Sequence, residues 1–348
     1  MLPGDMPCEG ARMYYEYMPL HVMQWVQMII SYISVVVVIY TTKHFLCRRS
    51  IFDQAFKELL LTLYFFIIVH AALLGVLQNI LIIARMASPD PCEGQISKLF
   101  CFCIRITVTI PLSGLVCVNL SFTIQRILSS CVPDHRFNII ASRGLIAFSF
   151  IYPIGITILA YGSDDYSGRV PYCTASTEHS IQVNTINVFV MFGLDTLTCL
   201  TDFALLKYNQ YMLRTRSFDV NVTFRRRQNI YATQEFLPSA IFHALCYFVQ
   251  TGTILAGYSF HGRVDEVTFV TINTYAYLMP YYCLICPLIL LYLMKKGKLM
   301  RSEGLRNAIR PLSEDVKTNY FNALRDQWNV NVRIPPERRT HSIDVSGE

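Results

Sequence analysis

Three ionisable side chains stand inside long apolar runs of this 348-residue chain: Arg105, Asp195 and, less deeply, Asp202. A charge in such surroundings is costly to hold, and by default it points to binding or transport. Arg105 is placed to attract an anionic or carbonyl-bearing ligand, or to snorkel outwards to a polar interface. Asp195 is placed to meet a cationic group of a ligand or to pair internally, with His243 or Gln250 as partner. Arg105, Asp195, His243, Gln250 and Asn273 together form the candidate ligand-binding set. His70, Gln78 and Asn273 are polar but neutral, which suits hydrogen bonds from helix to helix.

Catalytic and metal chemistry find little support. Neither H-E-x-x-H nor G-x-S-x-G occurs. Cys101-x-Cys103 lacks zinc spacing, and no histidine cluster accompanies it. Cys283-x-x-Cys286 has redox spacing, but apolar surroundings make a thiol inert. The expectation is no enzyme, no catalytic residue, no metal and no cofactor.

The elements that must position these residues are seven apolar runs: 22–40, 59–83, 99–122, 144–161, 181–206, 236–260 and 267–294. About 20 apolar residues suffice, as a helix, to cross a hydrocarbon core of roughly 30 Å. Most of the runs are apolar all round, unlike an amphipathic soluble helix. The fold class expected is an all-α membrane protein, a seven-transmembrane helix bundle over 22–294. An N-terminal segment, 1–21, precedes it and a tail, 295–348, follows. Pro111, Pro153, Pro238, Pro280 and Pro287 are expected to kink or start helices.

Lys and Arg set the orientation. Segments after runs one, three, five and seven hold twenty-four of them, and the other four segments hold five. Cytoplasmic loops carry the excess, so the N-terminus is expected outside and the tail in the cytoplasm. The net charge of +6 is thus a topology signal and not evidence for nucleic acid. The first twenty residues are short of an apolar core and are not expected to be a cleavable leader. The sequon at Asn119 is buried in a run and that at Asn221 falls on the cytoplasmic side, so both are expected bare.

The twelve cysteines sort by the same topology. Those within runs, Cys101 included, are expected to be packing thiols. Cys47 and Cys131 lie at the inner membrane edge, where reversible palmitoylation is available. Cys8, Cys92 and Cys173 fall outside, where disulfides persist. A Cys92–Cys173 bridge would pin the loop between runs four and five over the outer mouth and leave Cys8 as the odd thiol.

Seven spans, N-out, with a cysteine at the outer end of the third and another in the next outer loop, resemble a G-protein-coupled receptor. Gln125-Arg126-Ile127-Leu128-Ser129 sits where the E/D-R-Y motif of rhodopsin-like receptors would be, with Gln in place of the acid. More specifically, the chain resembles the nematode serpentine chemoreceptors of the Sra superfamily over roughly Leu20 to Met300. Their L-S-x-R-Y-Q-x-x-E-N stretch, with a proline about nine residues on, is matched in part by 220–229 (VNVTFRRRQN) and Pro238. The stretch SPDPCEGQISKLFCFCIRI around Cys92 favours the alpha/beta class over alpha or beta.

The resemblance implies a chemosensory receptor. A small-molecule cue would bind in the outer half of the bundle, and a heterotrimeric G protein would meet the cytoplasmic face through Arg126, Arg225, Arg226 and Arg227. It also implies the plasma membrane, sensory-neuron cilia and possible receptor dimers. The arginine run is equally an anchor to anionic membrane lipid. The competing class is a seven-span ligand-gated channel or transporter; no repeat between halves and an odd span count oppose it. In the tail, 306–330 is expected to form an amphipathic surface helix, with disorder beyond Arg333.

Overall fold

The computed structural model describes residues 8–46, 53–88, 90, 94–132, 134–162, 166–170, 173, 178–214, 220–259 and 265–332. A short helix, α1 (Cys8–Glu16), leads into α2 (Met18–Leu46), α3 (Gln54–Ala87), α4 (Lys98–Cys131) and α5 (His135–Tyr161). Next come α6 (Glu178–Arg214), α7 (Val220–Ser259), α8 (Glu266–Ala276) and α9 (Met279–Val332). Seven stretches are long and apolar enough to cross a membrane, one for each apolar run. They make a seven-span helical bundle.

On α2 and α5 the pattern of burial is inside-out. On α2, Gln24, Gln27, Ser31 and Ser34 are buried while Val36, Ile39 and Tyr40 are exposed. On α5, Asn138, Ser142, Ser149 and Thr157 are buried while Ile140, Ile151 and Ile158 are exposed. In hydrocarbon, polar side chains gain only by facing one another, and apolar ones lose nothing by facing lipid. Small polar residues also bring helices close. Ser149 Oγ lies 3.2 Å from Ser121 Oγ, and Ser142 Oγ donates to the Ala55 carbonyl at 3.1 Å. Gly114 lets α4 meet α3: a Cβ there would stand 2.8 Å from the Phe66 ring.

The helices outrun the apolar runs at the end of the bundle that holds Arg126. In place of a loop of about thirty residues after the fifth span, α6 continues to Arg214 and α7 starts at Val220. Arg225, Arg226 and Arg227 therefore lie on α7 and not in a loop. Arg and Gln are good helix formers, but their polarity makes such a turn look like a connection.

The seventh span is broken. Tyr277 and Leu278 separate α8 from α9. Pro280 has no N–H to offer the carbonyl of Ala276, so α8 cannot run on. Gln27 Nε2 supplies a substitute donor to the Thr274 carbonyl at 2.9 Å, and Gln78 Nε2 donates to Gln27 Oε1 at 2.9 Å. Beside the break, His70 Nδ1 donates to the Val108 carbonyl at 3.0 Å, which leaves Nε2 to accept from Tyr277 Oη, also at 3.0 Å.

At the opposite end from Arg126, β1 (Ile96–Ser97) pairs antiparallel with β2 (Arg169–Val170), Ile96 facing Val170. Gly168 enters β2 at φ 93°, a conformation that side chains with a Cβ seldom adopt. This ladder carries Cys173 to Cys101, and the two form a disulfide with Cα atoms 5.1 Å apart. The Cys92–Cys173 bridge is thereby corrected, as is the reading of Cys101 as a packing thiol. Cys101 stands in the first turn of α4, at the helix end and not deep in the span. Cys8 and Cys92 lie outside the described side chains.

The chain divides into two compact units, Met1–Leu293 and Met294–Glu348. The second is helical as far as Val332. The disorder expected past Arg333 falls on residues outside the described set.

Candidate functional site

Polar chemistry inside the first unit gathers at three levels. Deepest in the middle, α4, α6 and α7 contribute Asn119, Asp195 and His243, all essentially shut off from solvent. His243 Nδ1 lies 2.7 Å from Asp195 Oδ2 and 2.9 Å from Asn119 Nδ2. One nitrogen cannot donate to the carboxylate and accept from the amide at once. A proton on Nδ1 selects Asp195, and its absence selects Asn119. The imidazole is gripped between Tyr282 and Tyr247, with ring centroids at 4.5 and 5.1 Å. Of the two partners the sequence allowed Asp195, the structure brings His243.

The second level is the Arg126 end. Arg126 is buried in α4 with its guanidinium 4.4 Å from the centre of the Phe56 ring. Its Nη1 donates to Asn229 Oδ1 on α7 at 3.0 Å, while Nε and Nη2 are unpaired. Asn229 Oδ1 also accepts from Ser129 Oγ at 3.3 Å and its Nδ2 donates to Ser130 Oγ at 3.0 Å, so this one residue fastens α7 to α4 at three points. Thr123 Oγ1 donates to Asp202 Oδ1 on α6 at 2.8 Å. A cavity of about 10 Å³ lies between Phe56, Phe122, Arg126, Asp202, Thr233 and Phe236. Nothing at the sequence level marks Asn229, 103 residues away, as the partner of Arg126; packing alone reveals it.

The arginine run is not uniform. Arg226 Nη1 donates to the Met212 carbonyl of α6 at 3.1 Å, filling one of the acceptors that the last turn of a helix leaves open. Arg227 is exposed, and the Arg225 side chain lies outside the described set.

The third level is the disulfide end. Arg105 is half-buried on α4 with its guanidinium 5.9 Å from the centre of the Tyr161 ring. It precedes Asn119 by fourteen residues, about 21 Å along the helix. Arg105 and Asp195 are therefore separate features and not one pocket. Gln250 is half-buried on α7 with Oε1 unpaired, and Asn273 is half-buried on α8. Sequence reasoning missed a cavity of about 30 Å³ beneath α1, lined by Tyr14, Tyr15, His21, Gln24, Arg85 and Ile96 among others. Arg85 lies just past the apolar run 59–83, among the five basic residues of the sparsely charged segments, and α3 runs past it to Ala87.

Residues 12–328 match the family model described as serpentine type 7TM GPCR chemoreceptor Sra. Serpentine receptor class alpha-1 of Caenorhabditis elegans is 20% identical over 243 residues, 69% of this chain and 73% of that protein. Serpentine receptor class alpha-13 of the same organism is 24% identical over 287 residues, 80% of this chain and 84% of that protein. Serpentine receptor class beta-16 is 23% identical over 321 residues, 87% and 91% of the two chains. The matched model and these relatives belong to the Sra, alpha and beta designations, not to the alpha/beta class that the sequence had favoured.

Proposed function

The chain belongs to the Sra serpentine chemoreceptor family, and from that premise we propose that it is a G-protein-coupled receptor for a small-molecule cue. The ligand binds in the outer half of the bundle. The signal leaves at the Arg126 end, which faces the cytoplasm. The orientation rests on the excess of Lys and Arg in the segments at that end. The observation that carries the proposal is the buried Arg126, tied to α7 by Asn229. A signalling bundle needs an element with two arrangements that ligand and G protein bias together. Here α7 is fastened to α4 by a few hydrogen bonds, whose release frees the Arg126 guanidinium for a carbonyl or carboxylate of the G protein. Arg226, engaged with α6, closes the neighbouring face.

The test is a matched pair of substitutions. A hydrogen bond to a charged group contributes about 1.5–3 kcal/mol. Asn229→Ala should therefore raise ligand-independent nucleotide exchange on a co-reconstituted G protein by roughly 10- to 150-fold in the underlying equilibrium. Asn229→Asp gives Arg126 a charged partner and should silence basal exchange. If both variants match the parent chain, the tether plays no part in signalling. Glycosylation mapping in microsomes checks the orientation: an acceptor placed in residues 1–21 should be modified and one placed near Asn221 should not. The reverse pattern inverts the bundle and removes Arg126 from the cytoplasmic face.

A further inference from the structure

The cavity beneath α1 lies apart from the residues expected to hold ligand, and its lining has a chemistry of its own. Arg85 Nη1 is closed off from solvent without a hydrogen-bond partner. Among the described residues Arg85 forms no ion pair. The described carboxylate of α1, Glu16, turns outward to Arg12 at 2.7 Å. His21 and Gln24, both more than nine-tenths buried, wall the cavity opposite. His21 Nε2 donates to the Tyr15 carbonyl at 2.8 Å, and Nδ1 lies 3.3 Å from Gln24 Oε1. Tyr14 and Tyr15 line it from α1, and Leu20, Leu81 and Ile96 supply an apolar wall. A guanidinium N–H without an acceptor, beside a small apolar wall, is complementary to a compact molecule with one negative end.

The roof is α1 itself. It has nine residues, too few to hold a helix alone in water, so its order comes from docking. Tyr14 packs with Leu20 and Val267, and the Tyr15 hydroxyl donates to the carbonyls of Arg85 and Ser88. At about 30 Å³ the cavity has room for about two waters. An organic ligand must displace the Tyr15 ring to enter. Val267 is in the first turn of α8, so unseating α1 acts directly on the broken seventh span.

We propose that this cavity is the ligand site, that it takes a small organic anion on Arg85, and that α1 is its displaceable lid. This rests on the receptor reading and gives that reading its ligand class and its place. A carboxylate and the phosphate of a lipid headgroup share the required chemistry, so the test separates them. Full-length protein in phosphatidylcholine nanodiscs is titrated with hexanoate and benzoate, and with hexanol and benzyl alcohol as uncharged counterparts. Thermal unfolding is the readout.

A carboxylate should raise the transition temperature and its alcohol should not. Arg85→Gln should raise the half-saturating concentration at least 10-fold, and Arg85→Lys should raise it less. Tyr15→Phe, which loosens the lid, should lower it. Gln24→Leu weakens the anion without touching Arg85 and serves where Arg85→Gln does not fold. Failure of both carboxylates to bind overturns the site, as does equal binding to Arg85→Gln. An Arg85-dependent shift from phosphatidylglycerol alone assigns the cavity to a headgroup and also overturns it. Ligand-evoked signalling indifferent to Arg85 removes the site and leaves the receptor standing. Arg85-dependent anion binding without signalling does the opposite.

Discussion

The Asp195–His243 pair allows a sharp energetic test. Both side chains are buried, at 2% and 0% exposure, and 2.7 Å apart. A neutral hydrogen bond between helices in a bilayer averages about 0.6 kcal/mol and reaches about 1.7. Removing one member of a buried charged pair costs about 3–5 kcal/mol. Asn119 moderates the loss, because its amide, 2.9 Å from His243 Nδ1, remains as a donor when Asp195 is gone. We expect Asp195→Ala to cost about 3 kcal/mol, above the range of a single neutral hydrogen bond in a bilayer, because it leaves a buried imidazole short of a partner. The double-mutant cycle with His243→Ala should return a coupling of about 2–3 kcal/mol.

The assay is thermal unfolding followed by a thiol-reactive fluorophore, since Cys117, Cys246, Cys283 and Cys286 are free and buried. The single variant should melt roughly 6–12 °C lower, at about 2–4 °C per kcal/mol. Adding Asn119→Ala to Asp195→Ala should cost more than Asn119→Ala alone, since Asn119 is then the remaining partner of the imidazole. Additive single effects, with a coupling below about 0.5 kcal/mol, would refute the pair as an energetic unit and reduce it to coincident packing.

Two further outcomes follow from the packing. Gly114→Ala drives a methyl group into the Phe66 ring and should cost about 1–3 kcal/mol by overpacking; Phe66→Leu should restore part of the loss, and an unshifted melting point in the single variant would count against the close approach of α3 and α4. Non-reducing digestion should yield Cys173 linked to Cys101, and Cys101→Ser should release a Cys173 thiol; a Cys92–Cys173 peptide would overturn the assignment. A flexible loop closed over a separation of 72 residues would be stabilised by about 4 kcal/mol, and the melting loss in Cys173→Ser should be smaller, because α4 and α5 fill most of that loop and remain helical in lipid.

The seven spans were legible because hydrocarbon demands unbroken apolar runs, and a run such as 22–40 has few other uses. Helix ends were not. The turns from Val220 to Glu235 are as polar as a loop, and their helicity depends on packing against α6 and α4. Asp195 and His243 were legible as polar intruders, and the choice between His243 and Gln250 was open until the helices were set side by side. Arg126 and Asn229 both stood at motif positions, but an asparagine on a polar turn carries no mark of its partner, and only packing joined the two. Arg85 and His21 sat within the edges of helices that hydropathy had drawn too short. The Cys101 pairing was hidden because a run drawn from 99 put a first-turn cysteine of α4 inside the span.

The break at Tyr277–Leu278 bears on how the protein is made. An eleven-residue α8 is about 16 Å long, roughly half the hydrocarbon thickness, and the carbonyl of Thr274 in its last turn finds a donor in Gln27 of α2. In lipid an unmet carbonyl has no water to turn to. We expect this span to settle only after α2 and α3 are in place with Gln27 and His70 presented. Biogenesis of this chain is then expected to be ordered from its N-terminal half. A lesion at Gln27 should appear as a C-terminal segment that stalls at the translocon and is degraded, far along the sequence from the altered residue.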